Sequence, residues 1–366
     1  MPLICLLSLA LSLEAAAVAA VPGPGPGAFT LEQVLSAPFP SDLTAAPSGG
    51  AVAWVFDARG SRNVWIAEPP DYRGRAVTAY SGDDGQEITD LAFTPDGKSL
   101  VYVRGGEPNR AGEVPNPRND PAGASQALFV VAAAGGQPRL LGEGGSPAVS
   151  SRGDRVAFIQ KDKIWWAPLD GSGKASQAFV ARGDCGSPRW SPDGSRLAFV
   201  SRRGGHSFVG VFDPAGKTIR YLDPSVDRDG EPAWSSDGRR IAFRRIPASR
   251  QQVLRPLREG PPWSVHVAEV STGKAHRVFR ADAGRGSVFR EVSAKDQLLW
   301  ADGERIVFPW EKEGWTNLYV VPASGGLSAP LTPGSFEVEY VSLSPDRKRV
   351  LYNSNQDDIE RRHLWS

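Results

Sequence analysis

The chain is poor in the residues that hold small exported folds together covalently. Its 366 residues include only two cysteines, Cys5 and Cys185, and a single methionine. Cys5 falls in an apolar run at the N-terminus that is typical of a cleaved signal peptide. Cys185 is then alone in the mature chain, so an internal disulfide is excluded and the fold must rest on packing.

An excess of charge of one sign is also missing. The 42 lysines and arginines nearly balance the 41 aspartates and glutamates, which leaves a net charge of +1 with the two signs interspersed. A nucleic-acid-binding surface would show as a basic stripe. No nucleic-acid partner is therefore expected.

Motifs that carry catalysis or bind metal are absent as well. The chain contains no G-x-S-x-G nucleophile elbow, and the nearest match, 144–148, lacks the final glycine. Its four histidines show no metal-ligand spacing: His206, His266, His276 and His363. We predict no catalytic residue, no metal site and no cofactor in this chain.

What is present is a repeated turn, in which a small residue is followed by Pro, Asp and Gly and then by an apolar run. Thr94–Gly97 and Ser191–Gly194 are clear copies. With weaker copies there are seven, whose third positions are 48, 96, 153, 193, 237, 302 and 346. Pro presets φ, Asp bonds nearby backbone and Gly accepts a positive φ. A strand-and-turn repeat of about 40–50 residues is typical of a β-propeller.

The segments between the turns supply the other strands of each unit. A second apolar strand follows the first, as in Asn317–Val321, and a more polar strand closes the unit, as in Lys217–Leu222. We predict an all-β fold, a β-propeller of four-stranded antiparallel blades with six complete blades and an incomplete seventh. An incomplete blade predicts an unclosed ring.

The N-terminal segment predicts export. Residues 1–20 read as a signal peptide, with an apolar run at Leu3–Leu13 and small-residue cleavage sites at 15–20. Residues 21–42 read as a leader and residues 43–366 as the propeller. The apolar run is too short to span a membrane, so we expect a periplasmic or secreted protein without a membrane span after cleavage.

Two insertions interrupt the repeat, at Gly105–Gln126 and Ile246–Trp263. Loops this long are either solvated excursions or functional arms, and the sequence leaves both possibilities open. If they are functional, their charged residues are the candidates to contact the termini or carbonyls of a peptide: Arg110, Glu113, Arg250 and Arg255.

The repeat phrases Pro188–Phe199 and Glu231–Gly238 are similar to two groups of proteins. One group is the periplasmic propeller of the Tol system. The other is the N-terminal propeller of prolyl-oligopeptidase-family serine peptidases, of the dipeptidyl-peptidase-IV and acylaminoacyl-peptidase kind. Gly112–Pro117, Phe308–Tyr319 and Asp358–Trp365 resemble the second group more closely. The resemblance covers residues 29–366.

The second resemblance implies a non-catalytic propeller that gates peptide access to a C-terminal hydrolase domain in cis bearing Ser, Asp and His. That domain is absent from this chain, and seven or eight blades are expected in the parent. Dipeptidyl-peptidase-IV relatives hold the peptide amine with an adjacent Glu-Glu pair, for which Glu311 and Glu313 are a loose substitute. The Tol-like alternative implies a free-standing propeller that acts as a protein-interaction scaffold.

Overall fold

The computed structural model describes residues 29–248 and 259–366. The predicted signal peptide, Arg250 and Arg255 lie outside the described residues. A short helix, α1 (Leu31–Leu35), precedes the first strand, and Thr30 and Gln33 cap it reciprocally. No helix in the described ranges is long and apolar enough to cross a membrane.

Blades 1 to 3 are four-stranded antiparallel sheets whose strands pair in chain order. Their strands are β1 (Phe39–Ala45), β2 (Val52–Ala58), β3 (Ser61–Ala67), β4 (Arg75–Ala76), β5 (Ile88–Phe93), β6 (Ser99–Arg104), β7 (Ala127–Ala132), β8 (Arg139–Glu143), β9 (Gly145–Val149), β10 (Arg155–Gln160), β11 (Lys163–Pro168) and β12 (Ser176–Gln177). The first strand, β1, begins at Phe39, inside the segment predicted as a leader.

Blades 4 to 6 repeat this order, and a parallel bridge between Ser207 and Arg228 joins blades 4 and 5 into one sheet. Their strands are β13 (Asp184–Trp190), β14 (Leu197–Arg203), β15 (His206–Asp213), β16 (Thr218–Tyr221), β17 (Arg228–Trp234), β18 (Arg240–Ile246), β19 (Ser264–Glu269), β20 (Ala275–Arg280), β21 (Leu299–Ala301), β22 (Arg305–Trp310), β23 (Asn317–Pro322) and β24 (Ala329–Pro330).

Blade 7 has three described strands: β25 (Val338–Leu343), β26 (Val350–Ser354) and β27 (His363–Trp365). The predicted propeller of six complete blades and an incomplete seventh is confirmed.

Each repeated turn joins the first and second strands of a blade, as the spacing predicts. Because the strands run up and down, these turns share one end of the ring, which we call the turn face. The connections between second and third strands, and between blades, lie at the opposite end, the insertion face.

Six hydrophobic clusters hold neighbouring blades together, one for each interface from blades 1 and 2 to blades 6 and 7. Cys185 is buried in the cluster between blades 3 and 4 as a free thiol. No such cluster joins blade 7 to blade 1 among the described residues. The flank between these two blades is therefore open in the described part of the ring.

The innermost strands carry a recurring irregularity. Each of β1, β5, β13 and β17 shifts register midway and holds a polar residue at positive φ there. These residues are Asp42 (φ 53°), Asp90 (φ 56°), Ser187 (φ 52°) and Glu231 (φ 55°). A bulge of this kind redirects a side chain and is common beside functional sites. The channel wall is therefore polar and irregular, unlike the regular apolar faces between blades.

Candidate functional site: the central channel and its insertion face

The topology brings those residues singled out from the sequence that the structure describes to one end of the ring. The first insertion, the described ends of the second insertion and the Glu311–Thr316 segment connect second strands to third strands, so they lie at the insertion face. Arg110 and Glu113 belong to blade 2, whereas Glu311 and Glu313 belong to blade 6. The four residues share a face but belong to two distant blades.

The first insertion is folded rather than extended. Asn109 organises it: its Oδ1 accepts hydrogen bonds from the backbone of Ala111 at 2.9 Å and Glu113 at 3.0 Å. Its Nδ2 donates to the Glu113 carboxylate at 2.8 Å. Arg110 lies on the border of a cavity of about 580 Å³ that reaches Lys161 of blade 3, and both Arg110 and Glu113 are exposed. Arg110 is therefore available to a ligand at this face.

The two glutamates of blade 6 differ. Glu311 is paired with Arg290 at 3.0 Å and is only 21% exposed, so a peptide amine would have to compete with an internal guanidinium for it. Glu313 is exposed and makes no ion pair with any described residue. Burial, and then the charge of Glu313, raise the pKa of Tyr319. The pair therefore does not present two equivalent carboxylates.

A buried ionic cluster supports the base of the second insertion. Arg245 donates to both carboxylate oxygens of Asp229, at 2.7 and 2.9 Å, and to Asp223 at 3.0 Å. Burial lowers the pKa of the neighbouring His266 to about 4, and Arg245 adds to this effect. His266 is therefore neutral near pH 7, and its Nε2 lies 3.1 Å from the Ser264 hydroxyl. This cluster fixes the ends of β18 and β19.

The longest connection between blades occupies the channel. The segment from blade 5 to blade 6 runs over residues 281–298, against 222–227 between blades 4 and 5. We call residues 292–297 the channel loop. The buried side chain of Gln297, 5% exposed, holds the two ends of the channel loop together. Its Oε1 accepts a hydrogen bond from the Val292 backbone at 2.9 Å, and its Nε2 donates to the Val292 and Ala294 carbonyls at 3.0 and 2.8 Å.

The channel loop touches inner strands on different sides of the ring. Ser293 donates its backbone N–H to the Glu339 carbonyl of blade 7 at 2.7 Å. Arg189 of blade 4 is ion-paired with Asp296 at 2.6 Å and donates to the Lys295 carbonyl at 3.0 Å. The Lys295 ammonium donates to the Pro147 carbonyl of blade 3 at 3.1 Å. Blades 3 and 7 lie on opposite sides of a seven-membered ring, so the loop crosses the channel.

The electrostatics of the channel follow from this crossing. Lys295 is accessible to solvent in the channel but surrounded by protein, and the resulting desolvation, followed by Arg189, lowers its pKa. The pKa of Lys295 is raised in part by three nearby carboxylates, those of Asp90, Asp296 and Asp42. Burial raises the pKa of Asp42 and of Glu231. The arrangement holds the loop in place by ion pairing and contains no nucleophile activated by a base.

Sequence reasoning missed Lys295, Asp296 and Arg189. Nothing near Lys295 resembles a motif, and its partners lie more than 100 residues away along the chain. One signal was available in the spacing of the turns. The interval of 65 residues between the fifth and sixth turns is the longest, and the insertion at Ile246–Trp263 accounts for only part of it.

Comparison with known proteins agrees with this architecture. A family model described as the TolB beta propeller domain matches residues 137–284. A second, described as the dipeptidyl peptidase IV (DPP IV) N-terminal region, matches residues 257–366. The two matches together cover blades 3 to 7 and the channel loop.

Curated relatives match parts of the chain. Tricorn protease homolog 1 of Streptomyces coelicolor is 28% identical over 241 residues, which is 55% of this chain and 22% of the relative. A probable dipeptidyl peptidase 4 of Aspergillus flavus is 42% identical over 57 residues, 15% of this chain and 7% of the relative. The chain thus spans less than a quarter of the length of either curated relative.

A solved structure extends the likeness to the whole fold. The dipeptidyl peptidase 4 of Porphyromonas gingivalis superposes with a TM-score of 0.59 at 13% identity, covering 88% of this chain and 51% of that one. At this identity the likeness shows the fold alone. Together with the family matches, it confirms the resemblance of this chain to the N-terminal propellers of prolyl-oligopeptidase-family peptidases.

Proposed function

We propose that this chain is the non-catalytic propeller of an exported serine peptidase and limits the access of peptides to a Ser-Asp-His hydrolase domain. The observation that carries the proposal is the match of residues 257–366 to the dipeptidyl peptidase IV N-terminal region. Export rests on the predicted signal peptide at residues 1–20, and a periplasmic or secreted location follows from it.

The geometry gives the gating role a physical basis. The channel loop crosses the ring and is held by the Arg189–Asp296 ion pair and the Lys295 hydrogen bond. A folded protein cannot pass through a channel that this loop crosses, whereas an extended peptide could approach the insertion face. There we propose that charged residues contact peptide termini or carbonyls: Arg110, Glu113, Arg250, Arg255, Glu311 and Glu313.

A second candidate function has its own support. The TolB beta propeller domain matches residues 137–284, which favours a free-standing propeller that binds another protein as a scaffold. Under this alternative the insertions would contact a protein partner instead of a peptide substrate. The two candidates differ in whether a catalytic domain follows in the same gene product.

The coding sequence after codon 366 separates these candidates. A G-x-S-x-G motif within the next few hundred codons is expected for the peptidase, whereas a stop codon after one more blade would overturn it in favour of the scaffold. The 366-residue chain itself should not react with a fluorophosphonate probe, because its sequence contains no nucleophile elbow. Labelling that disappears when a single serine of this chain is replaced would contradict the non-catalytic assignment.

In a full-length enzyme, Arg110→Ala should lower peptide kcat/KM, while the exposed Arg118→Ala in the same insertion serves as a charge-matched control. Unchanged kcat/KM for separate alanine variants at Arg110, Glu113, Arg250 and Arg255 would remove the insertions from the proposed contact surface. The assay should use a short peptide substrate in low salt, because screening weakens exposed charge contacts.

A further inference from the structure

One of the repeated turns departs from the others at a position that favours glycine. In five blades the fourth turn residue donates its backbone N–H to the carbonyl of the first, at 2.8 to 3.0 Å. In four of these blades that residue is glycine with φ between 65° and 70°: Gly97, Gly153, Gly194 and Gly238. In blade 7 it is Arg347, with φ 59°.

The rest of the blade 7 turn is built like its counterpart in blade 4. Ser344 Oγ donates to Asp346 Oδ1 at 2.6 Å, as Ser191 does to Asp193. A residue other than glycine in the left-handed region carries a conformational cost, and such residues concentrate at functional sites. The turn would form with glycine, so its architecture does not explain the arginine.

The Arg347 side chain explains it better. The backbone carbonyl of Arg347 accepts a hydrogen bond from the Asp302 N–H of blade 6 at 2.9 Å. The side-chain Nη1 of Arg347 donates to the Trp234 carbonyl of blade 5 at 3.3 Å. The side chain therefore extends from blade 7 past blade 6 to the inner strand of blade 5. It borders a pocket at the turn face.

Beneath Arg347 lies a pocket of about 490 Å³, which we call the turn-face pocket. Its lining includes Trp190, Trp234 and Trp300, and Lys295 and Asp296 of the channel loop lie at its inner end. The Trp190 and Trp234 indoles are fixed by hydrogen bonds to the Ala148 and Arg189 carbonyls, at 2.9 and 3.0 Å. The pocket thus has rigid aromatic walls.

Arg347 is the arginine of this lining that has no anionic partner among the described residues. Arg189 is paired with Asp296 at 2.6 Å, and Lys295 donates to the Pro147 carbonyl. No described carboxylate lies within 4.0 Å of Arg347, whose guanidinium makes the single bond to Trp234 within the described ranges. Burial lowers the pKa of Arg347. Burial acts in the same direction on Arg245, but the hydrogen bonds that Arg245 donates to Asp229 outweigh it and raise the pKa of Arg245.

We propose that the turn-face pocket binds a small organic carboxylate, with Arg347 holding the carboxylate and the tryptophans packing against its apolar body. Guanidinium presents five N–H donors in a fork that matches a carboxylate, and four of them are unused here. Aromatic walls add contact area with specific geometry. The proposal requires no hydrolase domain and is tested independently of the peptidase assignment.

The test uses the 366-residue chain and titration calorimetry, with tryptophan fluorescence as a second readout. The probes are N-acetyl-Ala-Phe with a free C-terminal carboxylate, the same peptide as its C-terminal amide, N-acetyl-Asp-Phe-amide, and inorganic phosphate. We expect the free acid to bind at least tenfold more tightly than the amide. Comparison with the aspartyl peptide separates a terminal carboxylate from a side-chain carboxylate as the group recognised.

Arg347→Gly is the decisive variant because it restores the residue that the turn favours. We expect it to lose the preference for the acid while its Tm equals or exceeds that of the parent chain. Arg349→Gln removes one charge from the same hairpin without touching the pocket and should retain the preference. The proposal is overturned if acid and amide bind equally, if no peptide binds at millimolar concentration, if phosphate binds as tightly as the acid, or if Arg347→Gly keeps the preference.

Discussion

The interface between blades 3 and 4 and the flank between blades 7 and 1 are built from the same kinds of side chain. Between blades 3 and 4, the Trp166 and Trp190 rings stack at 6.4 Å, and Leu197 and Phe199 are fully buried. On the flank, the Trp54 and Trp65 rings of blade 1 stack at 6.3 Å but remain half-buried.

The difference lies in what covers the aromatic faces. Leu43 of blade 1 is 70% exposed, and Leu364 of blade 7 is 85% exposed. Burial of apolar area contributes roughly 25 cal/mol per Å², so an uncovered face gives up most of the stabilisation that a covered face provides. A blade is therefore stable because of its neighbours more than through its own hydrogen bonds.

A matched pair of leucine truncations should show this difference most strongly. Leu197→Ala, in the covered interface, should lower the free energy of unfolding by about 2–5 kcal/mol, because it leaves a cavity among buried side chains. Leu364→Ala, on the open flank, should change it by less than about 0.5 kcal/mol. Urea denaturation of both variants measures the effect, and equal losses would show that the flank is covered in solution.

Removal of the Gln297 hydrogen bonds in the channel loop should have the next largest effect on the free energy of unfolding. Gln297→Leu leaves the Val292 N–H and the Ala294 carbonyl without the partners they have here, at a cost of about 1–3 kcal/mol for each buried group left unsatisfied, while the Val292 carbonyl still accepts from the Ala294 N–H. The exposed Gln177→Leu is the control. Thermal unfolding and the hydrogen exchange of residues 292–297 measure the loss, and unchanged exchange in that segment would mean that Gln297 does not hold the loop.

Hydrogen exchange also compares the two regions directly. Residues 341–366 should be the least protected repeat, with exchange at least about tenfold faster than in blades 3 and 4, since no described residue packs on one side of blade 7 to restrain local opening. The readout is peptide-level mass spectrometry of the 366-residue chain at a fixed pH. Protection of 341–366 equal to that of blades 3 and 4 would refute the open flank.

The smallest expected effect concerns the repeated turn. Hydrogen bonds from Ser191 and Ser195 lower the pKa of Asp193 to about 2, below its ordinary value near 3.8. The carboxylate therefore stabilises the fold above about pH 4, and this contribution is lost as the pH falls through 2. Because Asp193 is exposed, Asp193→Ala should cost only about 1 kcal/mol at pH 7 and less at pH 2.

Asp346→Ala removes the same turn contact from blade 7 and is the matched control for Asp193→Ala. Its effect on global unfolding should be smaller, because we expect blade 7 to open locally before the ring unfolds. Thermal scans of both variants at pH 7 and pH 2 make the comparison. A larger loss for Asp346→Ala would contradict the idea that blade 7 is the more independent unit.

The sequence was sufficient for the fold because the information that specifies a blade is local. Turn chemistry, such as Thr94–Gly97, and alternating apolar strands lie next to one another in the chain, and each copy reinforces the others. The register shifts at Asp42, Asp90, Ser187 and Glu231 were not foreseen. A bulge depends on what the strand faces in the assembled ring, which the local sequence does not encode.

The site was predicted less well, for the same physical reason. Lys295 becomes informative only when folding places blades 3 and 4 beside it, and no short motif encodes that distance. Arg347 is an intermediate case. The seventh turn matches the repeat through Ser344-Pro345-Asp346 and then lacks the glycine, so a comparison of the repeats alone would have singled it out.

The channel loop also has a mechanical consequence for the ring. A ring of blades that is open on one flank deforms easily, because no packed interface at that flank resists the outward movement of its two end blades. The hydrogen bonds from the channel loop to Pro147 of blade 3 and to Glu339 of blade 7 connect opposite walls of the channel at a fixed separation. Movement of blade 7 away from blade 1 stretches these hydrogen bonds, so the shape of the described ring depends on the six residues 292–297 of the channel loop.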